Sequence, residues 1–218
     1  MVDIIAAGAP LARARAAAIL VHGRGASAED ILSLADEFAQ DDIAYLAPQA
    51  LGSAWYPYSF LAPFEQNEPY LGRALATVGA TFDQVVRDGF TSERIALIGF
   101  SQGGCLALEY VARNAKRYGA TAGLSAGLIG PPGTPRDYAG SLAGTPVFLG
   151  CSDIDSHIPL GRVHETRDVL SRMGAVVTER IYPGMGHTIN AAEIAEVRKL
   201  LAGITRDAVP RAEADRPS

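Results

Sequence analysis

An apolar run, Ile95-Ala96-Leu97-Ile98, leads without a break into Gly99-Phe100-Ser101-Gln102-Gly103-Gly104 and then into Cys105-Leu106-Ala107-Leu108, which opens a helical pattern. A strand that turns straight into a helix through G-x-S-x-G constrains the fold more than any other stretch of the chain. It demands a sheet edge, a tight turn and a helix lying back on the sheet. The turn imposes strained backbone on the serine, and the flanking glycines omit side chains that would collide across it. The Ser101 hydroxyl then stands clear of the sheet edge, above a helix N-terminus that favours developing negative charge.

The rest of the chain supplies such a sheet. Apolar runs of strand length alternate with stretches of helical period, the pattern of a mostly parallel sheet covered by helices on both faces. Ala16 to Val21 reads as a buried strand that ends in His22-Gly23-Arg24-Gly25. Ser27 stands three before Asp30 in a cap-like arrangement, and Ile31, Leu34, Ala35 and Phe38 repeat at helical spacing. Ile43 to Ala47 is a short strand, followed by a proline-rich, aromatic segment from Pro48 to Pro69, long enough for a functional loop. Leu75, Val78, Phe82 and Val85 share a helical face that ends near Asp88-Gly89, and Arg94 to Gly99 is the next strand. Gly103 to Tyr118 reads as a helix closed by Gly119, Ala120 to Ser125 as a strand, and Gly130 to Gly144 as a loop. A strand over Pro146 to Gly150, a helix from Pro159 to Met173 and a last strand over Ala175 to Tyr182 follow. Ile194, Val197 and Leu201 mark a final amphipathic helix. A single domain over residues 1–204 is expected, with 205–218 as a mobile polar tail.

A serine hydroxyl is a poor nucleophile until a base takes its proton, so a histidine is needed at another strand end. Of the four histidines, His187 fits best, in Pro183-Gly184-Met185-Gly186-His187 just past the last strand. His22 reads as a hydrogen-bonded turn residue, and His157 and His164 as solvated residues at or within the helix after Pro159. The base in turn needs an acid to hold its tautomer. Asp153 and Asp155 both follow the strand over Pro146 to Gly150, and position alone does not separate them. An oxyanion hole is expected from the backbone N–H groups of Arg24 and Gln102, with the Arg24 side chain solvated or at the substrate rim. Asp153, Asp155, His157 and His164 could be read as a metal cluster, but Asp155 has a better use and no supporting pattern surrounds them, so no metal is expected. Cys105 and Cys151 read as small buried core residues.

Composition narrows the classes. With 48% hydrophobic and 20% charged residues, the chain can bury a sizeable core and is not a disordered segment. A net charge of −5 without a basic cluster argues against nucleic acid as a partner. Two cysteines are too few for a disulfide framework and suit a reducing compartment. The uncharged run from Ile43 to Phe64 has the length of a membrane span, but Pro48, Pro57 and Pro63 exclude a transmembrane helix. The apolar stretch from Ala16 to Val21 is too short for a signal-peptide core. A cytoplasmic protein without integral membrane association is expected.

The segments Leu20-Val21-His22-Gly23-Arg24-Gly25, Gly99 to Gly104, Asp155-Ser156-His157-Ile158-Pro159 and Gly184-Met185-Gly186-His187 together resemble the phospholipase/carboxylesterase family of α/β hydrolases, which includes the acyl-protein thioesterases. The resemblance runs from about residue 15 to 203. In that family the acid begins an Asp-x-x-Val/Ile-Pro segment, which selects Asp155 over Asp153, and the order Ser101, Asp155, His187 is the order of that fold. The resemblance implies an α/β-hydrolase fold without a lid domain, an open shallow site, no cofactor, and hydrolysis of small-molecule carboxylic esters or acyl thioesters through an acyl-enzyme. Acyl-protein or acyl-CoA thioesterase, lysophospholipase, or lactone and aryl-ester hydrolase activities are the alternatives within this chemistry. A non-catalytic binding module on the same fold is the alternative outside it, and a monomer or homodimer is expected. Two features depart from the family: Ser156-His157 stands where a proline commonly follows the acid, and the loop Ser53 to Phe60 is richer in aromatics. Trp55, Tyr56 and Phe60 of that loop are expected to contact substrate, since the segment leaves a strand at the sheet edge where ligands bind.

Overall fold

The computed structural model describes residues 3–206. The element order is β1 (Ile4–Gly8), β2 (Ala16–Val21), α1 (Ala28–Leu32), α2 (Leu34–Phe38), β3 (Ile43–Pro48), α3 (Phe64–Asn67), α4 (Tyr70–Arg87), β4 (Ile95–Phe100), α5 (Ser101–Arg113), β5 (Ala120–Leu124), β6 (Pro146–Ser152), α6 (Leu160–Arg172), β7 (Val176–Tyr182) and α7 (Ala191–Arg206). The strands form one seven-stranded sheet in the order β1-β3-β2-β4-β5-β6-β7. Only β1 runs antiparallel to its neighbour.

Every residue of β2 is buried, because its two faces are both covered. Ala17, Ile19 and Val21 join the core beneath α4, α5 and α6, and Ala16, Ala18 and Leu20 join the core beneath α1, α2 and α7. Successive side chains of a strand point to opposite faces, so a strand buried on both must be apolar at every position. That is why the central strands read as continuous apolar runs.

Several boundaries depart from the sequence expectation. β1 was not expected; as an edge strand it is only half-buried and carries too short an apolar run to stand out. The helix expected through Ile31 and Phe38 is two short helices broken at Ser33, whose hydroxyl donates to the Asp30 carbonyl at 2.7 Å. The cap at its start is as read: Ser27 N–H donates to Asp30 at 2.8 Å, and Asp30 N–H to Ser27 Oγ at 3.2 Å. The helix after Ser101 ends at Arg113 rather than Tyr118. Asn114 turns its side-chain amide back onto the Tyr110 carbonyl, and Tyr118 N–H is taken by Thr145 Oγ1. Thr205 and Arg206, expected in the tail, belong to α7; the rest of the expected tail lies outside the described residues.

The topology places the site. From β2 the chain goes to β3 on one side and then to β4 on the other, so β2 and β4 are neighbours whose carboxyl ends open a crevice. Val21 pairs with Gly99, which sets the turn carrying Arg24 beside the turn carrying Ser101. No helix among the described residues is long and apolar enough to cross a membrane.

Candidate active site

Ser101 has φ of 53°, in the left-handed region that a side chain rarely adopts. Two glycines make this turn possible. A Cβ on Gly99 would lie 2.5 Å from the Gly103 carbonyl, and one on Gly103 would overlap the Val21 and His22 carbonyls at the end of β2. The first turn of α5 therefore lies directly on the strand ends, and the Ser101 hydroxyl projects from the crevice.

Three loops meet there. His187 Nε2 is 2.8 Å from Ser101 Oγ. Its Nδ1 is 2.8 Å from Asp155 Oδ2 and 3.0 Å from Oδ1. The serine hydroxyl thus donates to Nε2 while Nδ1–H donates to the carboxylate, which fixes the neutral tautomer. The Asp155 carboxylate has no solvent exposure, and its Oδ1 also accepts the backbone N–H groups of His157 at 2.8 Å and Ile158 at 3.0 Å. Burial disfavours its charge, but the bonds from His187 and the two amides outweigh burial and hold the carboxyl below its ordinary range. The Cys151 thiol, 3.8 Å from Oδ2, completes its surroundings, and burial pushes that thiol up to about 12.

Asp153 has a different place. Its Oδ1 accepts Gly184 N–H at 2.8 Å, while Ser152 Oγ accepts Gly186 N–H at 3.2 Å. These bonds tie the turn that carries His187 to the end of β6. His164 pairs with Glu179 at 3.0 Å, away from Asp155. His157 is exposed in the loop before α6 but not merely solvated: its ring meets the His187 ring edge to face at 4.6 Å. Phe100 lies against the His187 ring at 5.0 Å, so the imidazole is held between two rings. His22 is the buried turn residue expected, with Nε2 accepting Ala50 N–H at 3.1 Å.

A cavity of about 450 Å³ opens over Ser101. Its lining includes Gly23, Arg24, Tyr56, Phe60, Phe100, Gln102, Cys105, His157, Ile158 and His187 and contains no Asp or Glu. Of the aromatic residues expected to meet substrate, Tyr56 and Phe60 are in its wall, whereas Trp55 is not. Trp55 is buried with its indole N–H donating to the His22 carbonyl at 2.8 Å and its ring 4.9 Å from that of His22. That expectation is revised: satisfying the indole N–H in the interior turns the ring away from the cavity.

Arg24 and Gln102 flank Ser101, on the turn after β2 and in the first turn of α5, where amides have no partner within the helix. Their side-chain bonds were not foreseen. Arg24 is exposed and in the cavity lining, as expected of a solvated or rim group, and its guanidinium also donates to the carbonyls of Tyr56 at 2.7 Å, Pro57 at 2.9 Å and Tyr58 at 2.8 Å. Asn67, fully buried, was also missed; it accepts Tyr58 N–H and donates to the Ser59 carbonyl, each at 2.9 Å. No sequence pattern marks it.

The family model for phospholipases/carboxylesterases matches residues 4–204. A phospholipase/carboxylesterase from Dyadobacter fermentans superposes with a TM-score of 0.89 at 42% identity, over 93% of this chain and 97% of that one. Acyl-protein thioesterase 1 of Neurospora crassa is 25% identical over 88% of this chain and 87% of its own length. Acyl-protein thioesterase 1 of Gibberella zeae is 31% identical, but the match spans 54% of this chain and about half, 51%, of that protein.

Proposed function

The chain belongs to the phospholipase/carboxylesterase family, and on that premise we propose that it is a serine carboxylesterase acting on small-molecule esters through an acyl-enzyme. The observation that carries this reading is the continuous chain of contacts from a strained serine to a buried carboxylate. It runs from Ser101 Oγ to His187 Nε2 at 2.8 Å and from Nδ1 to Asp155 Oδ2 at 2.8 Å.

In this reading Ser101 Oγ attacks the ester carbonyl carbon as its proton passes to His187 Nε2. Asp155 holds the ring and stabilises the imidazolium. The carbonyl oxygen becomes an oxyanion, received by the backbone N–H groups of Arg24 and Gln102 at the N-terminus of α5. Collapse expels the alcohol, which takes the proton back from His187. Water, deprotonated by the same imidazole, then cleaves the acyl-enzyme and regenerates Ser101.

A panel of p-nitrophenyl esters across acyl lengths, with Ser101→Ala as blank, tests the proposal. Turnover by the native chain and none by the blank is the expected result; equal rates for both would end it. A second reading, thioester hydrolysis, is favoured by the relatives named as acyl-protein thioesterases. Matched oxygen esters and thioesters of one acyl chain separate the two by their kcat/KM ratio.

A further inference from the structure

The stretch from Trp55 to Tyr58 has no strand partner or helix of its own, yet it supplies part of the cavity wall. Its backbone is held by three side chains, of which Asn67 takes the Tyr58 N–H and two others grip the rest. Gln102, buried in the first turn of α5, accepts Trp55 N–H at 2.9 Å through Oε1 and donates to the Tyr56 carbonyl at 2.8 Å through Nε2. The Arg24 guanidinium takes the Tyr56, Pro57 and Tyr58 carbonyls, three in succession. The Tyr56 carbonyl is thus gripped from both sides. Bonds from a charged donor are stronger than neutral ones and hold their acceptors in a fixed fork.

These are the same two residues whose backbone amides are proposed above to receive the oxyanion. We propose that Arg24 and Gln102 are positioning residues as well as amide donors: their side chains lock the Tyr56 to Tyr58 part of the cavity wall, and through it the approach to Phe60, to the oxyanion hole. The proposal rests on the serine-esterase reading above. An ester long enough to press on Tyr56 and Phe60 therefore meets a wall that cannot retreat, and that wall aligns its carbonyl with the two amides. An acetate ester, too short to reach the wall, gains nothing from the lock. Selectivity for acyl length is built by two side chains that brace the wall from its flank.

Truncation to alanine keeps both backbone amides and removes the grip together with that side chain's share of the cavity lining, whereas Arg24→Lys and Gln102→Glu keep side chains of similar size there. The experiment measures kcat and KM for p-nitrophenyl acetate and hexanoate with the native chain, Arg24→Ala, Arg24→Lys, Gln102→Ala and Gln102→Glu, with Ser101→Ala as control. Gln102→Glu keeps the acceptor for Trp55 N–H and sets a carboxylate oxygen against the Tyr56 carbonyl. The lock predicts that the hexanoate-to-acetate ratio of kcat/KM falls about tenfold in both alanine variants, chiefly through KM for hexanoate, with Arg24→Lys recovering part of it. Gln102→Glu is expected to resemble Gln102→Ala. If an alanine variant does not fold, by circular dichroism, the Lys and Glu variants carry the same comparison. An unchanged ratio in folded variants, or equal losses on both esters, overturns the lock. Turnover retained by Ser101→Ala would instead remove the esterase reading beneath it.

Discussion

Both sides of the cavity are held by side chains bonded to main-chain groups, but with different partners: acceptors for N–H groups on the histidine side, chiefly donors to carbonyls on the aromatic side. On the histidine side, residues 152–158 and 183–190 are tied by short bonds between neighbouring strand ends: Asp153 to Gly184, Ser152 to Gly186, and Asp155 to its own backbone at His157 and Ile158. On the aromatic side, the wall at Tyr56 to Ser59 is held by Arg24, Gln102 and Asn67, residues from three separate elements that reach its main chain. In the proposed mechanism the histidine side must hold a proton path to within tenths of an ångström, and its turns are tied by short bonds. The other shapes a wall, and its main ties are carbonyl-directed bonds from Arg24, Gln102 and Asn67. The difference predicts that substitutions on the histidine side cost turnover, and substitutions on the aromatic side cost selectivity or stability.

The largest effect is expected at the proton path itself. His187→Ala should lower kcat by roughly 10⁴-fold or more, and the Ser101→Ala/His187→Ala double variant should lose little beyond either single one, since the residues act as a unit. Additive losses in a double-mutant cycle would break the histidine side of the comparison.

Next come the two aspartates. Asp155→Asn should drop kcat by about 10⁴-fold through the wrong His187 tautomer, whereas Asp153→Asn keeps an acceptor for Gly184 N–H and should cost less than about tenfold. The native carboxyl of Asp155 sits below its ordinary range, so its stabilising effect is present above the unfolded value of about 3.9 and is lost as pH falls through the lower folded value. Urea midpoints of the native chain and Asp155→Asn from pH 2 to 6 should converge toward the acid end.

These readings were legible because the residues sit in turns whose glycines mark them. Gly99 and Gly103 bracket Ser101, and Gly184 and Gly186, both at positive φ, precede His187. The central strands were legible because burial on both faces makes them almost wholly apolar, Thr121 of β5 being an exception. The aromatic wall was not. Arg24 reaches 32 to 34 residues along the chain, and its acceptors are main-chain carbonyls that any residue would supply. Trp55 was misjudged for a related reason: an aromatic beside a site reads the same whether its ring faces substrate or, as here, a buried carbonyl.

A smaller effect tests that last point. Trp55→Phe leaves the His22 carbonyl without its donor and should lower stability by about 1–3 kcal/mol, seen as a drop in Tm, while the acyl-length profile keeps its shape. A changed profile at unchanged Tm would return Trp55 to the substrate wall.

The smallest lies beneath the histidine side. Glu193, buried in the first turn of α7, accepts Asn190 N–H at 2.9 Å, and burial, with the Asp155 charge adding to it, pushes its carboxyl up to about 7. A carboxyl raised in the folded state contributes stability that is full below its unfolded value of about 4.3 and lost as pH rises to about 7. Glu193→Gln keeps the cap and removes the charge, so it should raise stability by on the order of 1 kcal/mol at pH 8 and change it little at pH 4. Thermal melts at the two pH values check this.

The account depends above all on Ser101 being a nucleophile activated by His187. Labelling with a fluorophosphonate probe, followed by intact-mass measurement and peptide mapping, tests it directly. One adduct per chain, on Ser101, with labelling abolished in Ser101→Ala and strongly slowed in His187→Ala, is the predicted result. An adduct on any other residue, or no adduct on folded protein, would contradict it.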